Sequence, residues 1–93
     1  MSATQELLSP TDIDTTTESF TLILFNDNFH SFEEVIDQVM KAAGYGYDKA
    51  EAITLEVHNK GKSAVLSGDL NRCLRAQTVL EEIQLRTTIE VNA

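Results

Sequence analysis

Tryptophan is missing from this 93-residue chain, cysteine and proline occur once each, and basic residues number only seven against fifteen acidic ones. Each scarcity excludes something. A lone cysteine, Cys73, can form no internal disulfide and cannot supply the thiolate set of a structural zinc site, so the chain reads as one suited to a reducing compartment. A net charge of −8 argues against nucleic acid or an anionic membrane surface as partner, because both demand a positive footprint. No apolar run approaches the roughly 20 residues that span a bilayer. The opening MSATQELLSPTDIDTTTES has neither the basic head nor the apolar stretch of a secretory signal. These readings predict a cytoplasmic protein without a cofactor.

What is present fits one small domain. A chain of this size hides only about 60–65% of its unfolded surface, enough for a single core and a shallow site but not for a deep cleft. A monomer with a protein or peptide partner is expected. Residues 1–18 hold four of the acidic residues, none of the basic ones and the only proline. Such a segment buries too little apolar surface to offset its ordering entropy, which predicts a disordered tail followed by a domain over residues 19–93.

From Phe20 to Phe25 a short apolar run reads as a strand largely buried on both faces. Ser31 with Glu34 forms a capping-box signature, and Phe32, Val35, Ile36, Val39, Met40 and Ala43 fall at helical spacing up to Gly44. Asp48 with Glu51 repeats the signature for a second helix through Ala50, Ile53 and Val57, ending at Gly61. Lys62 to Ser67 is a second strand. Asp69 opens a third helix carried through Ile83, and Thr87 to Val91 alternates like an edge strand. The order βααβαβ predicts an α+β two-layer sandwich, a three-stranded antiparallel sheet with three helices on one face.

Between the first strand and the first helix, Asn26, Asp27, Asn28 and His30 crowd five positions. That is more polar side chain than a turn's backbone needs. His58, late in the second helix, can approach this cluster if that helix packs beside the start of the first. Asp27 then offers a charge, Asn26 an acceptor and a neutral His58 a nitrogen lone pair, three groups suited to the N–H donors of a primary ammonium. Phe32, Val35 and Val57 could line an apolar hole beside them. Together these residues describe a receptor for a peptide N-terminus with a large apolar first residue. The plainer alternative has Asn26 and Asp27 only tying down the turn, the apolar residues serving as ordinary core, and His30 as a solvated turn residue.

At these positions the sequence resembles the ClpS adaptor proteins. LILFNDN (Leu22 to Asn28) is similar to the family's strand followed by Asn-Asp-Asp, FEEVIDQVM (Phe32 to Met40) to its first helix, and LEVHNKGK (Leu55 to Lys62) to its His-x-x-Gly-Lys segment. The resemblance implies a non-enzymatic adaptor that binds substrates beginning with Leu, Phe, Tyr or Trp and hands them to the AAA+ unfoldase ClpA and its protease ClpP. It implies that Asn26, Asp27 and His58 hold the substrate α-amino group. Phe32, Val35, Thr54, Val57 and Leu85 would form the side-chain pocket, Leu85 on the assumption that the third helix ends early. His58, Asn59, Lys60, Gly61 and Lys62 would dock on the unfoldase, and the tail would engage it. The chain departs from the family pattern at Asn28, which replaces a second Asp, at Phe32 and Thr54, often Met, and at His30 and Ser31, commonly Thr-Pro.

Two rival readings remain at this point. GYGYDKAEAI and LEEIQLRTTIEV are faintly similar to the C-terminal domain of the ribosomal stalk protein, an interaction module of like order, although the acidic balance suits that role poorly. An enzyme using Asp27, His30 and His58 as a metal site or acid–base pair ranks lowest, since no HExxH, GxSxG or phosphate-cradling glycine loop is present.

Overall fold

The computed structural model describes residues 18–92, so the expected tail lies outside the described residues except for Glu18. The order is β1 (Phe20–Phe25), α1 (Phe32–Ala43), α2 (Tyr47–Lys60), β2 (Lys62–Gly68), α3 (Leu70–Glu81) and β3 (Thr87–Val91). It is the expected α+β arrangement. The sheet runs β2-β1-β3, antiparallel throughout, with β3 at an edge.

β1 is central, and alternation decides its faces. Leu22 and Leu24 are wholly buried, whereas Thr21, Ile23 and Phe25 are only half-buried. The run is therefore covered on one face and partly open on the other. No second helical layer covers that face among the described residues; there the Arg86 guanidinium lies 4.8 Å from the Phe25 ring centre. A register shift between Leu22 and Ile23 makes a bulge in β2. It turns both Val65 and Leu66 toward the core.

α1 begins as its capping box dictates. Ser31 Oγ accepts the Glu34 N–H at 3.1 Å, and Glu34 Oε1 accepts the Ser31 N–H at 2.8 Å. At the other end Gly44 takes a left-handed φ of 75° that a side chain would resist. α1 buries Val35, Ile36 and Val39, and the buried Gln38 amide donates to the Val79 carbonyl at 2.7 Å, joining α1 to α3.

Two helix ends differ from expectation. α2 starts at Tyr47 with Gly46 in the cap position and no side-chain cap. Asp48 instead sits in the first turn, where a carboxylate is favoured by the positive end of the helix dipole. α3 stops at Glu81 rather than Ile83. There the Leu85 N–H reaches back to the Leu80 carbonyl at 3.3 Å and the Gln84 N–H to the Glu81 carbonyl at 3.0 Å, with Gln84 at a φ of 62°. This is a Schellman closure, and it drives Leu85 inward beside Leu80 in the core. Cys73 is also buried there, which pushes its thiol pKa up by desolvation.

Candidate functional site

Two backbone hydrogen bonds place the polar turn. The Phe25 N–H donates to the Arg86 carbonyl at 3.0 Å and the Asn26 N–H to the Gly61 carbonyl at 2.9 Å. The second fixes the start of the turn against the end of α2, one turn from His58. α1 leaves the turn at Ser31, so its first residues face the last turns of α2. Between them lies a cavity of about 390 Å³.

Its polar side is formed by Asn26, Asp27, Asn28 and His30, and its apolar side by Phe32 and Val35 of α1 with Thr54 and Val57 of α2; His58 stands where the two sides meet. The Phe32 and His58 rings meet edge-on, with centres 6.4 Å apart and planes at 85°. The seven residues expected to hold the α-amino group or form the side-chain pocket, apart from Leu85, thus line one cavity, together with Asn28 and His30. Leu85 does not: only 3% exposed, it belongs to the core. Asn59, Lys60, Gly61 and Lys62 are exposed across the α2–β2 junction, with Lys60 paired to Glu56 at 3.6 Å.

Asp27 is already engaged. One carboxylate oxygen accepts the N–H groups of Phe29 and His30 at 2.9 and 3.0 Å, and the other faces His30 Nδ1 at 2.7 Å. An ionised carboxylate accepts about four hydrogen bonds, so these three leave room for one more donor. Burial pushes the Asp27 pKa up, but the two backbone N–H groups and the His30 imidazole outweigh it and hold the carboxyl below its usual range.

His30 departs from the solvated turn residue expected. Its side chain is 14% exposed, and its Nε2 bonds the Ile83 carbonyl in the α3–β3 link. Burial lowers its pKa, yet the bond to Asp27, the Ile83 carbonyl and the Asp27 and Glu34 charges together raise it above the ordinary value. Sequence reasoning missed this role because the Ile83 contact spans 53 residues. The Asp-x-x-His spacing was its only local signal.

Thr54 also carries a polar group into the cavity wall. Its hydroxyl donates to the Ala50 carbonyl one turn back at 2.8 Å, so it is satisfied within its own helix. The site as a whole can accept N–H donors along one edge and take an apolar group along the other. Among the described residues no cluster of three or more His, Cys, Asp or Glu side chains could hold a metal ion. No helix among them is long and apolar enough to cross a membrane.

Comparison with known proteins places the chain in a family. The chain is 29% identical over 83 residues to the E3 ubiquitin-protein ligase UBR2 of Mus musculus, covering 89% of this chain and 5% of that protein. It is 31% identical over 81 residues to UBR2 of Homo sapiens, covering 85% and 5%. The chain therefore spans about one-twentieth of the length of these curated relatives. Its fold matches the solved structure of Agrobacterium tumefaciens ClpS2 bound to L-phenylalaninamide with a TM-score of 0.73 at 17% identity, over 81% of this chain and 98% of that one. The model of one family, described as "ATP-dependent Clp protease adaptor protein ClpS", matches residues 15–88. That span takes in both walls of the cavity and nearly all of the sheet, and the chain belongs to the ClpS family of adaptors, proteins that assist a protease rather than catalyse.

Proposed function

We propose that this protein captures the N-terminal residue of substrate proteins and delivers them to a ClpA-type AAA+ unfoldase working with ClpP. The observation that carries the reading is the acceptor-rich edge of Asn26, Asp27 and His58 set against an apolar cavity of about 390 Å³. An α-ammonium has three donors and one charge. It matches the open acceptor on Asp27, the Asn26 carbonyl and a neutral His58 nitrogen, while the first side chain enters between Phe32, Val35, Thr54 and Val57. The matched ClpS2 structure holds L-phenylalaninamide, a free amine with an aromatic side chain, and this supports the same class of guest here.

Substrates beginning with Leu, Phe, Tyr or Trp fit such a site, with Leu and Phe favoured over Trp because the Phe32 ring narrows the mouth. Branching at Cβ, as in Ile and Val, crowds the ammonium edge. The exposed junction from His58 to Lys62 is the surface offered to the unfoldase, and residues 1–18 are the arm that engages it. Removing that arm leaves peptide affinity intact and abolishes degradation in a reconstituted ClpA–ClpP assay.

The decisive test is a titration with two peptides, one beginning with a free Leu or Phe and its N-acetylated twin. Acetylation removes the charge and two of the three donors. The loss of one charge-assisted hydrogen bond alone costs about 1.5–3 kcal/mol. Equal affinity for the two peptides would remove the ammonium assignment.

A further inference from the structure

His30 is more than a support for the turn. We propose that its imidazolium competes with the guest ammonium for the single Asp27 carboxylate, so that the site holds a free amine more tightly once His30 has lost its proton. The inference rests on the N-terminal-residue reading above and adds to it the residue that sets the charge of the ammonium edge.

The argument starts from donors and acceptors. His30 Nδ1 faces Asp27 Oδ2 at 2.7 Å, and Nε2 faces the Ile83 carbonyl oxygen. Both partners can only accept, so both ring nitrogens must carry hydrogen, and only the imidazolium does. The ring is 14% exposed and the Asp27 side chain 19%, which limits screening of the pair by water. Burial opposes the charge on His30, and the Asp27 and Ile83 partners restore it.

The charged and titratable groups facing the ring are few. Asp27 comes from the turn, Glu34 from the first turn of α1, and His58 from α2 across the cavity; the α3–β3 link presents the Ile83 carbonyl. Glu34 is tied to the Ser31 N–H by its capping box. The neighbouring position that could add a second negative charge is the amide Asn28. With His30 protonated, the Asp27–His30 pair is therefore neutral when a guest arrives. With His30 neutral the pair carries one negative charge.

A guest ammonium on the remaining acceptor of Asp27 brings a second cation to a carboxylate that already serves one. Like charges disfavour each other's charged form, so guest binding lowers the His30 pKa. Linkage makes the effect reciprocal: loss of the His30 proton strengthens binding by the same factor. A neutral ring keeps one N–H, which can stay on Asp27 while the Ile83 bond is given up. The clamp survives and the strut to the α3–β3 link does not.

The test monitors the two imidazole rings separately by 1H–15N NMR in the full chain, between about pH 5.5 and 7.5, where a peptide α-amino group of pKa about 7.7–8.0 stays mainly cationic, and affinities are expressed per cationic peptide. The free protein is expected to show His30 titrating above about 6.5. A saturating free-amino Leu peptide should move that midpoint down by about one pH unit, and affinity should rise about tenfold from the protonated to the neutral limit. His30→Gln should lose that share of the pH dependence. Peptide binding with an unmoved or upward-moving His30 midpoint overturns this inference alone. Absence of free-amino peptide binding at every pH overturns it together with the proposed function.

Discussion

His30 and His58 face one cavity from opposite sides, and they differ in how much of their chemistry is already spent. His30 comes from the turn, is half-buried, and has both nitrogens engaged by acceptors 3 and 53 residues away. His58 comes from the last turn of α2, is exposed, and meets the edge of the Phe32 ring. The first histidine belongs to the folded state before any guest arrives; the second keeps capacity for one. A site of this kind needs both, because a carboxylate offered to a guest must be held in place by something that does not itself depend on the guest.

The largest effect is expected where the two sides share a partner. Asp27→Ala removes the charge proposed for the ammonium and leaves the His30 imidazolium without its main acceptor. Affinity for a free-amino Leu peptide should fall by about 1.5–3 kcal/mol, measured by calorimetry. The protein should also lose stability to urea, because the N–H groups of Phe29 and His30 lose their acceptor. A variant that binds normally would mean that Asp27 serves the turn alone.

The histidines themselves should divide cleanly between stability and binding. His30→Ala takes the imidazole donor from one Asp27 oxygen and from the Ile83 carbonyl, and should cost about 1–3 kcal/mol of folding stability. His58→Ala, at an exposed position, should change stability by no more than about 0.5 kcal/mol. It should nevertheless weaken peptide binding by about 0.5–1.5 kcal/mol. Equal stability losses for the two variants would erase the distinction.

The same contrast has a pH signature in the peptide-free protein. The folded state holds the His30 proton more tightly than the unfolded chain does. Its contribution is therefore complete below about pH 6.5 and is lost as pH rises through the higher folded value. The Asp27 carboxyl, held low in the fold, contributes above its ordinary range and loses that contribution as pH falls through its depressed value. Thermal unfolding measured from pH 6 upward should show a declining component in the natural sequence that His30→Gln lacks. The Asp27 contribution does not vary in that window.

The two histidines also mark what a sequence can convey. α1 is legible because its signals are local: Ser31 and Glu34 close a box across three residues, and its apolar stripe repeats at helical spacing. The edge position of β3 is likewise readable from alternation, whereas its pairing with β1 is not, because strand order depends on contacts distant in the chain. The start of α2 lies two residues before the expected place, with Gly46 rather than Asp48 at the cap, because Asp48 is as favourable inside a first turn as at a cap. The end of α3 falls short of Ile83 because Gln84, not glycine, takes the left-handed turn that buries Leu85. Residues on both sides of the cavity can be picked out by type and spacing. The state of His30 cannot, since it depends on a carbonyl brought near only by the folded α3–β3 link.

The smallest effect is expected at Thr54 on the apolar wall. Read from sequence, a hydroxyl at position 54 is a liability in a cavity meant for Leu or Phe, because burying an unpaired polar group costs free energy. In the fold the Thr54 hydroxyl donates to the Ala50 carbonyl at 2.8 Å, so a guest does not strip it of its partner. Thr54→Val keeps the branched shape and removes a bond to a carbonyl that already serves the helix ladder, which puts its effect near the low end for a hydrogen bond, about 0.5 kcal/mol. Phe32→Met, which replaces a stiff ring at the mouth with a flexible chain, should do more, raising the affinity ratio of Trp to Leu peptides by an amount bounded by about 1–3 kcal/mol. Competition binding with both peptides against both variants measures the difference. A tenfold gain for Leu peptides in Thr54→Val would show that the hydroxyl turns into the cavity when a guest is bound, and that position 54, more than position 32, sets what the wall accepts.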